Sequence, residues 1–297
     1  MVLINFNKNR KIMKNVKSLF LMSIGVCLFA VCISCNAINI NPDDPRVQKT
    51  FDLPSFNAVR AYSGVKVVYT QSASKQTVKV DVVEKILPYL VVKNSGGELV
   101  LGLDFEKTGR VTMTGNPVTV YVSAPEINRM SVSSGASIKV DKDLRVDDDL
   151  LMEASSGAMI SIEDVRASGF SMDLSSGSSV KVGNASVRSL IISTSSGSMV
   201  NLDNVSCTSS NVSSSSGSSV SLRGKCGGVA HYDISSASSV KAADFVASDV
   251  NAQASSGSSL KCHAAKSITA EASSGAKIRY KGRPADVNAD KSDVKRL

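Results

Sequence analysis

From about residue 50 onward, apolar and polar residues alternate with period two, and no stretch holds the 3.6-residue spacing of an amphipathic helix. The alternation is punctuated by Ser-Ser-Gly, whose Gly recurs at Gly135, Gly157, Gly177, Gly197, Gly217, Gly257 and Gly275, with Ser235-Ser236-Ala237 filling the one gap. The intervals are 22, 20, 20, 20, 20, 20 and 18 residues. Three residues after this position stand Ile138, Ile160, Val180, Val200, Val220, Val240, Leu260 and Ile278, aliphatic in every unit. Five residues before it stand Met130, Met152, Met172, Ile192, Val212, Tyr232, Ala252 and Ala270. Alternation on both sides of a Gly predicts two half-buried strands joined by a bend. Each unit has only one thin apolar edge, which it can bury only against its neighbours. The pattern therefore predicts an all-β fold, a β-solenoid of about one coil per 20 residues over 128–282, with a β-rich lead-in over 50–127 and a polar tail over 283–297 that caps the stack.

Composition fits a narrow stacked interior. There is no Trp, aromatics make up 5%, and 41 of the 51 Ser fall between Ser131 and Ser274. In a stack each side chain rests on its equivalent in the next coil, so small aliphatics pack well and a Trp would not. If alternation continues through the corner, the second Ser of each unit (Ser134, Ser156, Ser176, Ser196, Ser216, Ser236, Ser256, Ser274) points inward, where hydroxyls could satisfy one another as a ladder. Gly then supplies positive φ or close approach at the bend.

The first 35 residues read differently. Five bases and no acid precede an apolar run from Ser18 to Val31, followed by Cys32-Ile33-Ser34-Cys35, the order of an export signal. Its end resembles a bacterial lipobox, which implies lipidation of Cys35 and a membrane anchor in the cell envelope. Met13 is an alternative start, and 36–49 reads as a linker. The formal charge of +8 first suggests an anionic partner, but beyond Cys35 there are 29 basic and 26 acidic residues, a balance of +3. Nucleic acid is not indicated.

Candidate chemistry is sparse. Cys207, Cys226 and Cys262 are odd in number and lack metal-ligand spacing. Cys207 and Cys226 lie 19 residues apart, one short of a coil. A disulfide between them and a pair of free core thiols both fit that spacing. His231 and His263 face outward in different columns, so no metal is expected. Asp147, Asp148 and Asp149 sit in the 22-residue interval, where two extra residues would bulge as a solvated loop more readily than they would hold calcium. No His or Lys recurs at a fixed offset that could activate a Ser. No catalytic residue and no cofactor is indicated.

The outward columns carry charge. Four residues after the Gly stand Lys139, Ser161, Lys181, Asn201, Ser221, Lys241, Lys261 and Arg279; four before it, Glu153, Asp173, Asp233 and Glu271 are acidic. Lys241, Lys261 and Arg279, with Lys277 in the neighbouring column, form a candidate surface for an anionic ligand such as an acidic glycan. The alternative is a face kept soluble by its charge.

A lead-in of Phe56-x-x-Val59, then Gly64-Val-x-Val-x-Tyr-x-Gln71, then strand pairs and Ser-Ser-Gly coils resembles the head GIN family of auto-transporter adhesins, common as lipoproteins in Bacteroidetes. The resemblance covers about residues 50 to 285. It implies a domain like a right-handed β-helix with no established enzymatic residues. The function that follows is a non-enzymatic envelope lipoprotein presenting its solenoid to glycans or proteins. The alternatives are a polysaccharide lyase or hydrolase on a β-helix and a purely structural envelope protein.

Overall fold

The computed structural model describes residues 38–41, 43–73, 75–105, 111–289 and 292–297. The signal segment with Cys35, and the alternative start at Met13, lie outside them. The chain divides into two units, Met1–Asn39 with Lys107–Thr112, and Ile40–Glu106 with Met113–Leu297. The second holds the solenoid. Two short strands, Ile38–Ile40 and Val111–Met113, form a separate two-stranded sheet.

The repeat folds into parallel coils stacked in register. Ile138, Ile160, Val180, Val200, Val220, Val240, Leu260 and Ile278 pair one above the next. The column continues past both ends of the repeat, to Val67 on one side and Val294 on the other. None of its members is more than 5% exposed. The apolar positions flanking the turn thus become a continuous aliphatic spine, and each coil covers its neighbours' apolar edges at about 4.8 Å spacing.

The stack extends further at both ends than the repeat does. Ala58–Ala61 and Lys66–Gln71 form a coil parallel to Arg129–Val132 and Ser137–Val140. On its far side lie Glu98–Leu103 and Val118–Ala124, also parallel. The coil at 58–71 is therefore inserted between two coils that follow it in sequence. Beyond it, Thr77–Val83 runs antiparallel to Val118–Ala124, and Leu90–Ser95 antiparallel to Glu98–Leu103. The 3-10 turn Glu84–Tyr89 buries Ile86 completely. These antiparallel strands cover edges that would otherwise expose unpaired backbone.

Two boundaries change accordingly. The stretch 36–49 is not only a linker, because a strand starts within it at Arg46–Phe51, antiparallel to Thr77–Val83. The tail 283–297 adds strands to the stack, with Asp286–Ala289 and Val294–Arg296 pairing with the preceding coil.

The turn corrects the inward Ser expectation. The second Ser has φ of 51–53° and the following Gly 70–78°. Two successive residues at positive φ, closed by a bond such as Ala136 N–H to the Ser133 carbonyl (3.1 Å), make a type I′ turn. The second Ser is consequently exposed at the tip. The residue after Gly points inward instead, and there Ser178, Ser198, Ser218, Ser238 and Ser258 are each 1% exposed. Their hydroxyls donate mainly to carbonyls across the stack, as in Ser178 to Ala154 (2.8 Å) and Ser238 to Ser214 (2.8 Å), rather than forming a hydroxyl ladder. Turns are also tied to one another, the Gly177 N–H donating to the Ser196 carbonyl and the Gly197 N–H to that of Ser216, both at 3.0 Å.

A Cβ built on these turn glycines would meet nothing within 4 Å, so the requirement is positive φ and not close approach. Ala237 holds φ 59° in the one unit lacking Gly. Relieving that strain outweighs the added freedom of Gly in the unfolded chain. Ala237→Gly should raise stability by about 0.5–1 kcal/mol, read as a higher denaturant midpoint at constant m value.

Candidate functional site

The strand after each turn carries the basic column. Lys241 pairs with Lys261, Lys261 with Arg279, and Arg279 with Lys295, so four cations stand on successive coils. Sequence spacing identified three of them. Lys295 joins through the tail strand, which has no Ser-Ser-Gly signal. Lys277 lies one outward column nearer the turn, paired with Ser259. Lys241, Lys261, Lys277 and Lys295 are exposed, and none forms an ion pair among the described residues. Arg279 is half-buried and donates through Nη1 to the carbonyls of Ile278 (3.0 Å) and Asp293 (3.1 Å), which ties the tail to the column. The flanking Lys281 is neutralised by Asp244 at 2.8 Å. Like charges on directly adjacent strands cost roughly 0.2–1 kcal/mol per pair. A bound polyanion would reverse the sign of that term.

The strand before each turn presents a different surface. Asn211, His231, Asn251 and Thr269 form one outward column; Ser213, Asp233, Gln253 and Glu271 form the next. Between them the surface dips into a depression of 470 Å³, and a second of 270 Å³ shares Asp233 with it and runs on past Ser213 and Ser193 to Asp173. The column six residues before each Gly was the available signal for this face. Its amide-rich half does not stand out by charge.

Cys207 and Cys226 are register partners on adjacent coils, both buried and both free thiols in this structure. The facing thiols act on each other, pushing Cys207 up and drawing Cys226 down, with burial adding to the first shift and opposing the second. Neighbouring strands bring Cα atoms within the range a disulfide needs. Exposure of the native protein to oxidised glutathione is expected to remove two titratable thiols, the oxidant leaving as two reduced thiols, and dithiothreitol should restore them. An unchanged thiol count would exclude the bridge. Cys262 stands apart, fully buried, with burial pushing its thiol up to about 12.

The remaining candidates do not converge. His231 pairs with Asn211 and Asn251, whereas His263 pairs with Val246 and Lys281. Among the described residues no group of three or more His, Cys, Asp or Glu is arranged to hold a metal. The two extra residues of the first interval do not make one loop over Asp147, Asp148 and Asp149. One is absorbed between Lys139 and Leu144, the other between Arg145 and Asp149, where the register to the next coil shifts.

Comparison with known proteins agrees with this architecture. The family described as "Putative auto-transporter adhesin, head GIN domain" matches residues 55–221 and 174–284. No curated protein matches the sequence. A "putative adhesin" of Parabacteroides merdae is similar in structure, with TM-score 0.64, 18% identity, and coverage of 88% of this chain and 99% of that one. A "putative adhesin" of Parabacteroides distasonis gives TM-score 0.68 at 15% identity, covering 88% and 100%. A "putative lipid binding protein" of the same species gives 0.63 at 15%, covering 88% and 100%. At these identities the likeness speaks for the fold alone. With the family match spanning most of the stack, the chain belongs to the head GIN domain family, described as "Putative auto-transporter adhesin".

Proposed function

We propose that this protein is a non-enzymatic cell-envelope lipoprotein, anchored through Cys35, whose basic column holds an anionic partner, an acidic glycan. The observation that carries the reading is the in-register row Lys241, Lys261, Arg279 and Lys295, with no acid interposed. A linear polyanion presents charge at intervals and can meet successive coils, whereas a single lipid headgroup meets one or two. A polysaccharide lyase or hydrolase would need a walled groove with clustered carboxylates or a basic and Tyr set. The near-constant 20-residue interval supplies no long loops to wall one.

Binding to polygalacturonate, measured by calorimetry, should weaken at least tenfold in a Lys241→Glu, Lys261→Glu, Lys277→Glu variant and should fall with added salt. Arg279 is left intact because it braces the tail. Unchanged affinity in the variant would remove the basic column from the account. Vesicles containing anionic lipid serve as the competing arm: retention on them without polygalacturonate binding would favour a lipid partner. Shortening of the polygalacturonate during incubation would instead indicate an enzyme.

A further inference from the structure

The geometry points to a second binding site, for a neutral, hydroxyl-rich saccharide, on the polar face before the turns. Its centre is the 470 Å³ depression between the column of Asn211, His231 and Asn251 and the column of Asp233, Gln253 and Glu271. It stands independently of the basic column, which lies on the strand after the turn.

Three observations select the ligand class. First, all six side chains are exposed, and none has a hydrogen-bond or ion-pair partner within the protein among the described residues. The protein therefore spends none of this donor and acceptor capacity on itself. Second, the chemistry is mixed. Amides and an imidazole offer donors and acceptors side by side, while the carboxylates accept only. A sugar hydroxyl both donates and accepts, so vicinal hydroxyls match such a set. Third, no Lys or Arg lines the depression. Asp233 and Glu271 would repel a polyanion, and the ligand suited to the basic column is unsuited here. The two carboxylates are separated by Gln253. They stand two coils apart, about 10 Å, so a polycation would find isolated charges rather than a continuous row.

Shape supports an extended ligand. The second depression, sharing Asp233, lengthens the trough by two further coils toward Asp173 where Ser193 and Ser213 replace larger side chains. Ile191, 43% exposed in the same column as Asn211, offers an apolar contact for the C–H face of a sugar ring. Every coil repeats the backbone at about 4.8 Å, which suits a chain that presents similar groups at intervals.

The test is an array of neutral hexose and N-acetylhexosamine oligosaccharides, beside uronate-containing oligosaccharides and oligolysine, probed with the purified protein. Neutral oligosaccharides are expected to bind, and longer ones more tightly. Calorimetry on the best should show at least tenfold loss in Asn251→Ala, Gln253→Ala and in Asp233→Ala, with the melting temperature of each variant unchanged because the side chains are exposed. The Lys241→Glu, Lys261→Glu, Lys277→Glu variant should keep its affinity for the neutral oligosaccharide, so the two sites fail separately. Absence of neutral binders at millimolar concentration would overturn the proposal, as would binders indifferent to the Asn251 and Gln253 changes. Preferential binding of oligolysine would also overturn it and mark the face as a dock for basic peptides.

Discussion

Leu202→Ala is expected to cost about 2–5 kcal/mol and to lower the melting temperature by several degrees, although no ligand-facing residue is touched. Leu202 is fully buried between its register partners Val182 and Leu222. Removing it opens a cavity that neither neighbour can fill without leaving its own column. The same truncation at the end of the stack, Ile278→Ala, should behave differently. In a solenoid, stability is close to a sum of nearest-neighbour terms. A central defect weakens the coupling between the two halves, while a defect beside the final strand Val294–Arg296 mainly frees that strand. Hydrogen exchange separates the cases: protection should fall across several coils in Leu202→Ala and only around residues 277–297 in Ile278→Ala. Equal, local losses in both would show that the coils do not stack cooperatively.

The aliphatic spine, and the column of Leu202 two residues further along the same strand, were legible because a solenoid turns a long-range packing problem into a local period. The buried aliphatic column from Ile138 to Ile278 follows from counting three residues outward from Gly. Counting failed at the turn itself. Parity assumes an extended backbone, and two consecutive residues at positive φ shift the phase, so Ser196 goes to solvent and Ser198 to the core. The invariably small residue after Gly carried that information, since only a crowded position restricts side chains to Ser and Ala. The insertion of the 58–71 coil had no local signal at all. Parallel pairing of Ala58 with both Glu98 and Arg129 is a choice between distant partners made by burial and edge protection.

The site divides in the same way. The charges of Lys241, Lys261 and Arg279 were visible at one offset. Lys295 was not, because the tail reaches that column through a shortened return. The trough was missed because neutral amides such as Asn251 and Gln253 signal nothing until register places them beside His231, Asp233 and Glu271.

The buried Ser column gives the sharpest contrast between two substitutions at one position. Ser198 is 1% exposed and donates to the Leu174 carbonyl at 3.2 Å. Ser198→Ala removes that bond but matches the shape already used at Ala136, Ala158 and Ala276, all buried at the same offset. Its cost should be about 0.5–1.5 kcal/mol, the net value of one hydrogen bond. Ser198→Leu loses the same bond and forces a branched side chain into a file where the neighbours on both sides, Ser178 and Ser218, are also buried. Overpacking adds about 1–3 kcal/mol. Displacement would also reach the hydroxyl cluster of Thr194, Ser214 and Ser218, whose bonds of 3.0, 2.9 and 3.1 Å close only in the present spacing. Ser198→Leu should therefore cost about 3 kcal/mol or more, with loss of protection in the Ser215–Ser218 turn. Comparable denaturant midpoints for the two variants would mean that the interior has room to spare. Serine would then be there for its hydroxyl rather than its size.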